Sequence, residues 1–159
     1  MRWYLLTWTT YGSWLPGDER GFRTYNRRVE VPPPERYAKD ESVYKPDKWR
    51  WLLDYSKQMS KGEVCLNVVQ RDYVRKKISG IADEKCCSVK ALHVGDRHVH
   101  VLIEIGSIRI PQLVHLLKGS SSRGLSELSL TGRVWARGYH IRPVPDAAVT
   151  QVEKYLNNH

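Results

Sequence analysis

Residues 87–105 constrain the fold more than any other stretch of this chain. From His98 to Ile105 it reads His-Val-His-Val-Leu-Ile-Glu-Ile, and the side chains of a strand alternate between two faces. Val99, Val101, Ile103 and Ile105 therefore make an unbroken apolar face, while His98, His100, Leu102 and Glu104 share the other. A period of two with one wholly apolar side predicts a strand laid against helices. Just before it, Gly95-Asp96-Arg97 has turn chemistry, and Cys87 to Val94 reads as a preceding strand. The two form a hairpin, which commits the chain to an antiparallel sheet.

The remaining segments supply the rest of the sheet and its helices. Residues 2–9, rich in Trp, Tyr, Leu and Thr, read as the first strand. From Tyr11 to about Pro46 come Gly12, Gly17, Gly21, Pro32-Pro33-Pro34 and scattered Arg and Glu, which predict a long loop at about 11–46. Such loops are usually functional or mobile; Arg20, Arg23, Arg27 and Arg28 either touch phosphates there or sit in solvent. Asp47 is placed to cap a helix over about 48–59 that carries Trp49, Leu52, Leu53 and Tyr55. Val74, Ile78 and Ile81 set a second helix over about 67–82, with Arg71, Arg75, Lys76 and Lys77 largely off that stripe, a cluster that reads as a solvated face ahead of a binding face. A helix starting at Pro111 runs through Leu113, Leu116 and Leu117 and is expected to end in a flexible basic segment, Lys118 to Arg123. A strand over about 139–144 leads to a last helix that Asp146 can cap. There is no internal repeat, and 159 residues suit one domain. The order β–(loop, helices)–β–β–α–β–α predicts an α+β fold, an antiparallel sheet with helices packed on it.

Charge narrows the partners. Lys and Arg number 26 against 17 Asp and Glu, a net charge of +9, which favours polyanions. Six Trp and nine Tyr against one Phe is a set suited to stacking on unpaired bases, although most of these rings are expected in the core. No apolar run approaches the roughly 18 residues of a membrane span, and the first residues lack a signal-peptide layout. Cys65, Cys86 and Cys87 form no CxxC pair, so they are read as reduced thiols of a cytoplasmic protein rather than a zinc site.

Two segments carry chemistry. His98 and His100, two apart on a strand, stand side by side and can share a divalent cation. Alone, such a pair reads equally as two surface side chains. A histidine-triad nucleotide hydrolase would need a third His where Leu102 stands, and a cupin would need further ligands on an all-β barrel. Glu104 lies four residues from His100, a long way along a strand. In the last helix Ala148, Val149, Val152 and Leu156 form the core stripe, while Gln151, Tyr155 and His159 share a side at i, i+4 and i+8. Tyr155 is therefore either a half-buried packing residue or a nucleophile. A phenol titrates near 10, and a neighbouring cation would favour its phenolate and polarise a phosphate under attack.

Taken in order, four segments resemble the HUH-type single-tyrosine transposases, including the REP-associated tyrosine transposases. They are the hairpin Ala91 to Leu102 ending in His98-Val99-His100, the helix end Leu117 to Arg123, the Trp-containing stretch Val134-Trp135-Ala136-Arg137-Gly138-Tyr139, and the terminal Tyr155-Leu156-Asn157-Asn158-His159. The resemblance spans roughly residues 87–159 and implies a ferredoxin-like sheet. It implies cleavage of single-stranded DNA beside imperfect hairpins, through a 5′-phosphotyrosine that leaves a free 3′-OH, with Mg2+ or Mn2+. Tyr155 would be the nucleophile and His98, His100 and His159 the metal ligands, with Asn158 the reserve for the third position, where glutamine is common in part of the family. Lys118, Arg123 and Arg137 would contact DNA, and a homodimer is expected. The segment at 11–46 departs from the compact pattern of the family. The rivals are an inactive module that only binds hairpin nucleic acid, a metal-dependent hydrolase in which water attacks, and a structural α+β protein.

Overall fold

The first strand, β1 (Trp3–Thr9), is an inner strand of the sheet and pairs antiparallel on both sides. The computed structural model describes residues 2–15, 17, 18, 22, 23, 30, 31 and 50–158. Contacts divide the chain into two compact units, residues 12–63 and residues 1–11 with 64–159. The smaller unit contains a two-stranded ribbon, β2 (Phe22–Arg23) with β3 (Glu30–Val31), and helix α1 (Arg50–Met59). Most of the segment read as a long loop, the cap Asp47 and Trp49 lie outside the described residues. Along α1, Leu52 and Leu53 are half-buried while Trp51, Tyr55 and Met59 are exposed.

The larger unit carries the sheet. After β1 come α2 (Val68–Glu84), β4 (Ser88–Val94), β5 (His98–Glu104), α3 (Ile110–Arg123), a short 3-10 turn (Gly124–Leu128), β6 (His140–Val144) and α4 (Asp146–Asn157). The strand order is β4-β5-β1-β6, with every described neighbour antiparallel. A β-α-β-β-α-β chain threaded in this order is the ferredoxin-like arrangement, as expected from the sequence. The hairpin falls where the alternation put it, and Gly95 closes it by donating its N–H to the carbonyl of His98 at 2.8 Å.

Helix α2 begins where Asn67 and Gln70 make a reciprocal capping box, each side chain accepting the other's backbone N–H at 2.9 Å. Its stripe of Val74, Ile78, Ile81 and Ala82 packs with Leu113 and Leu117 of α3 against Val99, Val101 and Ile103 of β5. Arg75, Lys76 and Lys77 are exposed, and Asp72 pairs with the first two. On the opposite face α4 lays Val149 and Leu156 over Ala91, Leu102 and Val144. Helices thus cover both faces, α2 and α3 one, α4 the other.

Two boundaries differ from the sequence reading. Lys118 to Arg123 is not a flexible tail but the last turns of α3, because buried Ser121 accepts a hydrogen bond from Trp135 Nε1 at 3.2 Å and anchors that end in the core. Asp146 is the first residue of α4 rather than its cap; Pro145 holds the cap position, with no side-chain hydrogen bond. An acidic first turn still complements the helix dipole. Cys65 and Cys86 are exposed and Cys87 buried, all three free thiols. No helix among the described residues is long and apolar enough to cross a membrane.

Candidate functional site

Strand register places a row of polar side chains across the face that α4 only partly covers. His93 of β4, His100 of β5, Thr7 of β1 and His140 of β6 are successive cross-strand partners, and His98 pairs with Thr9 beside them. Directly opposed residues of antiparallel strands share a face, so the row is a consequence of pairing alone. His98 and His100 stand with ring centroids 4.8 Å apart, inclined at 64°. His93 stacks on His98 at 5.3 Å and lies 6.3 Å from His100. All three imidazoles are half-buried. Thr7 Oγ1 and His100 Nδ1 are 2.8 Å apart, a hydrogen bond.

The turn is shaped around these rings. Gly95 is buried, and a Cβ there would come within 3.0 Å of His98 Cε1 and 3.2 Å of His93 Nε2. Glycine is thus what allows the two rings to stack over the hairpin's end.

The next row toward the other end of the sheet is Ala91, Leu102 and Leu5, and it lies beneath α4. Rows on one face are about 7 Å apart, so the helix covers the sheet immediately beside the histidines. Glu104, two rows from His100 with buried Leu102 between them, is out of reach of the same cation. The direction of Tyr155 follows from α4's own geometry. At roughly 100° per residue, Glu153 and Tyr155 project from opposite flanks of the stripe formed by buried Val149 and Leu156 and half-buried Val152. Glu153 meets Lys90 at 3.7 Å, and Lys90 lies on the Ser88 side of Ala91 in β4. Tyr155 thus leaves α4 on the flank opposite the one that reaches Lys90. Tyr155 is 58% exposed, so its hydroxyl is reachable from solvent.

Basic residues gather at the histidine end of the sheet. Ala136 N–H bonds to the carbonyl of Thr9 at 3.0 Å, which brings the exposed Arg137 out beside the strand end that pairs with His98. Arg97 is exposed in the hairpin turn. Lys118 donates its ammonium to the carbonyls of Ala136 (2.8 Å) and Gly138 (2.6 Å), so it fastens the Trp135 stretch to α3. Arg123 is exposed at the end of α3.

The residue types fit a divalent cation held in part by protein. Two imidazoles side by side are good donors for divalent transition-metal ions, and the Thr7 contact orients one of them. Among the described residues no three His, Cys, Asp or Glu side chains form a group that would hold a metal, so His98 and His100 need a ligand from elsewhere. His159 lies outside the described residues; Asn158 is exposed at the end of α4. The sequence singled out His98, His100 and Tyr155 but not Thr7, whose part becomes visible only once β1 is paired with β5.

Comparison with known proteins identifies the family. The family model described as IS200-like transposase matches residues 51–159. The chain belongs to the IS200-like transposase family. A crystal structure of a protein from Deinococcus radiodurans R1 assigned as a transposase matches with 20% identity and a TM-score of 0.46, over 98% of this chain and 88% of that one. A REP-associated tyrosine transposase bound to a REP hairpin matches with 8% identity and a TM-score of 0.48, over 98% of this chain and 62% of that one. This chain thus spans less than two thirds of the latter's length, and likenesses so remote transfer no residue roles. No curated protein matches the sequence.

Proposed function

We propose that this transposase cleaves and rejoins single-stranded DNA at hairpins in the cytoplasm, with Tyr155 as nucleophile and a divalent cation, Mg2+ or Mn2+, held by His98, His100 and His159. The observation that carries the reading is the position of α4. It lies on the same sheet face as the two histidines and carries an exposed tyrosine, Tyr155.

The residues have separable tasks. Arg123 and Arg137 attract the phosphates of an unpaired strand, and Lys118, expected from the sequence to contact DNA, instead holds the Arg137 stretch in place through the carbonyls of Ala136 and Gly138. His98 and His100 present ring nitrogens where the scissile phosphate is bound. The cation, when bound there, supplies charge neutralisation of the phosphate and favours the phenolate. Tyr155 Oη attacks phosphorus; the Oη–P bond forms, the P–O3′ bond breaks, the phenol proton is lost to solvent, and the departing 3′ oxygen takes up a proton. The product is a 5′-phosphotyrosine with a free 3′-OH, and attack by another 3′-OH reverses the step and joins strands. A homodimer would present two such sites.

Cleavage of labelled hairpin-bearing single-stranded DNA in Mn2+ tests the assignment. The wild type should cut, Tyr155→Phe should give no product, and His98→Ala should lose at least about 100-fold, the order of a removed catalytic group. Cutting by Tyr155→Phe at the wild-type rate would instead make water the nucleophile and Tyr155 a packing residue.

A further inference from the structure

The Thr7–His100 hydrogen bond joins two strands 93 positions apart in sequence, and it acts on the one property of an imidazole that decides whether it can be a ligand. A neutral histidine carries its proton on Nδ1 or on Nε2, and only the other nitrogen has a lone pair to give. Contact with Thr7 Oγ1 occupies Nδ1. Nε2 is therefore the nitrogen through which His100 would meet a cation. A hydroxyl can donate or accept. When it accepts from Nδ1–H, Nε2 has its lone pair; when it donates to Nδ1, Nε2 carries the proton and cannot ligate.

We propose that Thr7 is a positioning residue that fixes the ring of His100 and, by accepting from Nδ1–H, holds it in the tautomer whose Nε2 binds a divalent cation. This rests on the metal reading of His98 and His100 given above. The strand makes the arrangement stiff. Thr7 and His100 are direct partners in the β1–β5 register, and a β-branched residue has restricted χ1, so the hydroxyl is held where the ring needs it. Metal-ligating histidines generally donate their second nitrogen to an oxygen acceptor, and loss of such a partner typically lowers metal affinity about 10–100-fold.

Titration of the purified protein with Mn2+, without DNA, reads this directly, using electron paramagnetic resonance to count free ion. Thr7→Val keeps the β-branched shape and removes the hydroxyl; it should weaken Mn2+ binding at least about 10-fold. Thr7→Ser restores the oxygen and should return binding to within about 3-fold of wild type, which a purely structural loss would not do. In the metal-free wild type, nitrogen chemical shifts should show the proton of His100 on Nδ1. Wild-type Mn2+ affinity in a folded Thr7→Val, with affinity lost in His98→Ala, would overturn the role of Thr7 and leave the metal reading standing. Failure of the wild type to bind Mn2+ at all would overturn both.

Discussion

Val99, Val101 and Ile103 on one side of β5 are fully buried beneath α2 and α3, while His98 and His100 on the other side stay half-exposed beside the edge of α4. The same seven-residue strand thus has one side closed by apolar packing and one side closed only as far as Leu102. The first side holds the fold together. The second leaves a polar row uncovered at the end where Arg97 and Arg137 are exposed. A ferredoxin-like sheet with helices on a single face would leave the whole second face wet. Here α4 dries part of it and carries the exposed Tyr155.

The contrast breaks most cleanly under truncation on each side. Ile103→Ala removes a fully buried side chain and should cost about 2–5 kcal/mol of stability, whereas His98→Ala, half-buried on the other face of the strand, should cost less than about 1 kcal/mol and abolish Mn2+ binding. Urea unfolding of the two variants, with metal titration of each, separates these outcomes. Equal destabilisation would mean that the histidine side is core after all.

A smaller effect is expected where α2 meets the end of α3. Tyr73 packs its hydroxyl directly on Gly124, so a Cβ at that position has no room unless the ring moves. Gly124→Ala should destabilise by about 1–3 kcal/mol, the usual cost of overpacking, and leave Mn2+ affinity within about 2-fold. Thermal unfolding beside metal titration checks both halves. Gly95→Ala should do the reverse. Its Cβ meets the far ends of two imidazoles rather than backbone, so the rings must yield by a few tenths of an ångström. Mn2+ affinity should drop several-fold, with a stability change below about 1 kcal/mol. A variant that loses stability but not affinity would place the strain in the turn instead of the site.

The dry side was legible in the sequence because alternation is a local property. Val99 to Ile105 announce a buried face without any knowledge of partners, and Val74-Ile78-Ile81 does the same for α2. The wet side was legible only in its ligands and nucleophile candidates. His98 and His100 share a face by spacing, and Tyr155 sits at a countable position on its helix. Thr7 was silent, since nothing marks a threonine in the first strand as the neighbour of a histidine 93 positions later; that pairing is a product of topology. The end of α3 was misread for a related reason. Lys118 to Arg123 looks polar and mobile in isolation, yet Ser121 is buried by Trp135, and Lys118 is tied to carbonyls at 136 and 138. Polar residues that are satisfied over long range carry no local signature of burial.

The proposed function places covalent chemistry at Tyr155. Incubation with hairpin-bearing single-stranded DNA in Mn2+, nuclease digestion and peptide mass spectrometry tests it most directly. The account predicts a nucleotide phosphate attached to the peptide containing Tyr155, dependent on metal and absent from Tyr155→Phe and His100→Ala. Cleaved DNA with no protein adduct, or an adduct on another tyrosine, would contradict it.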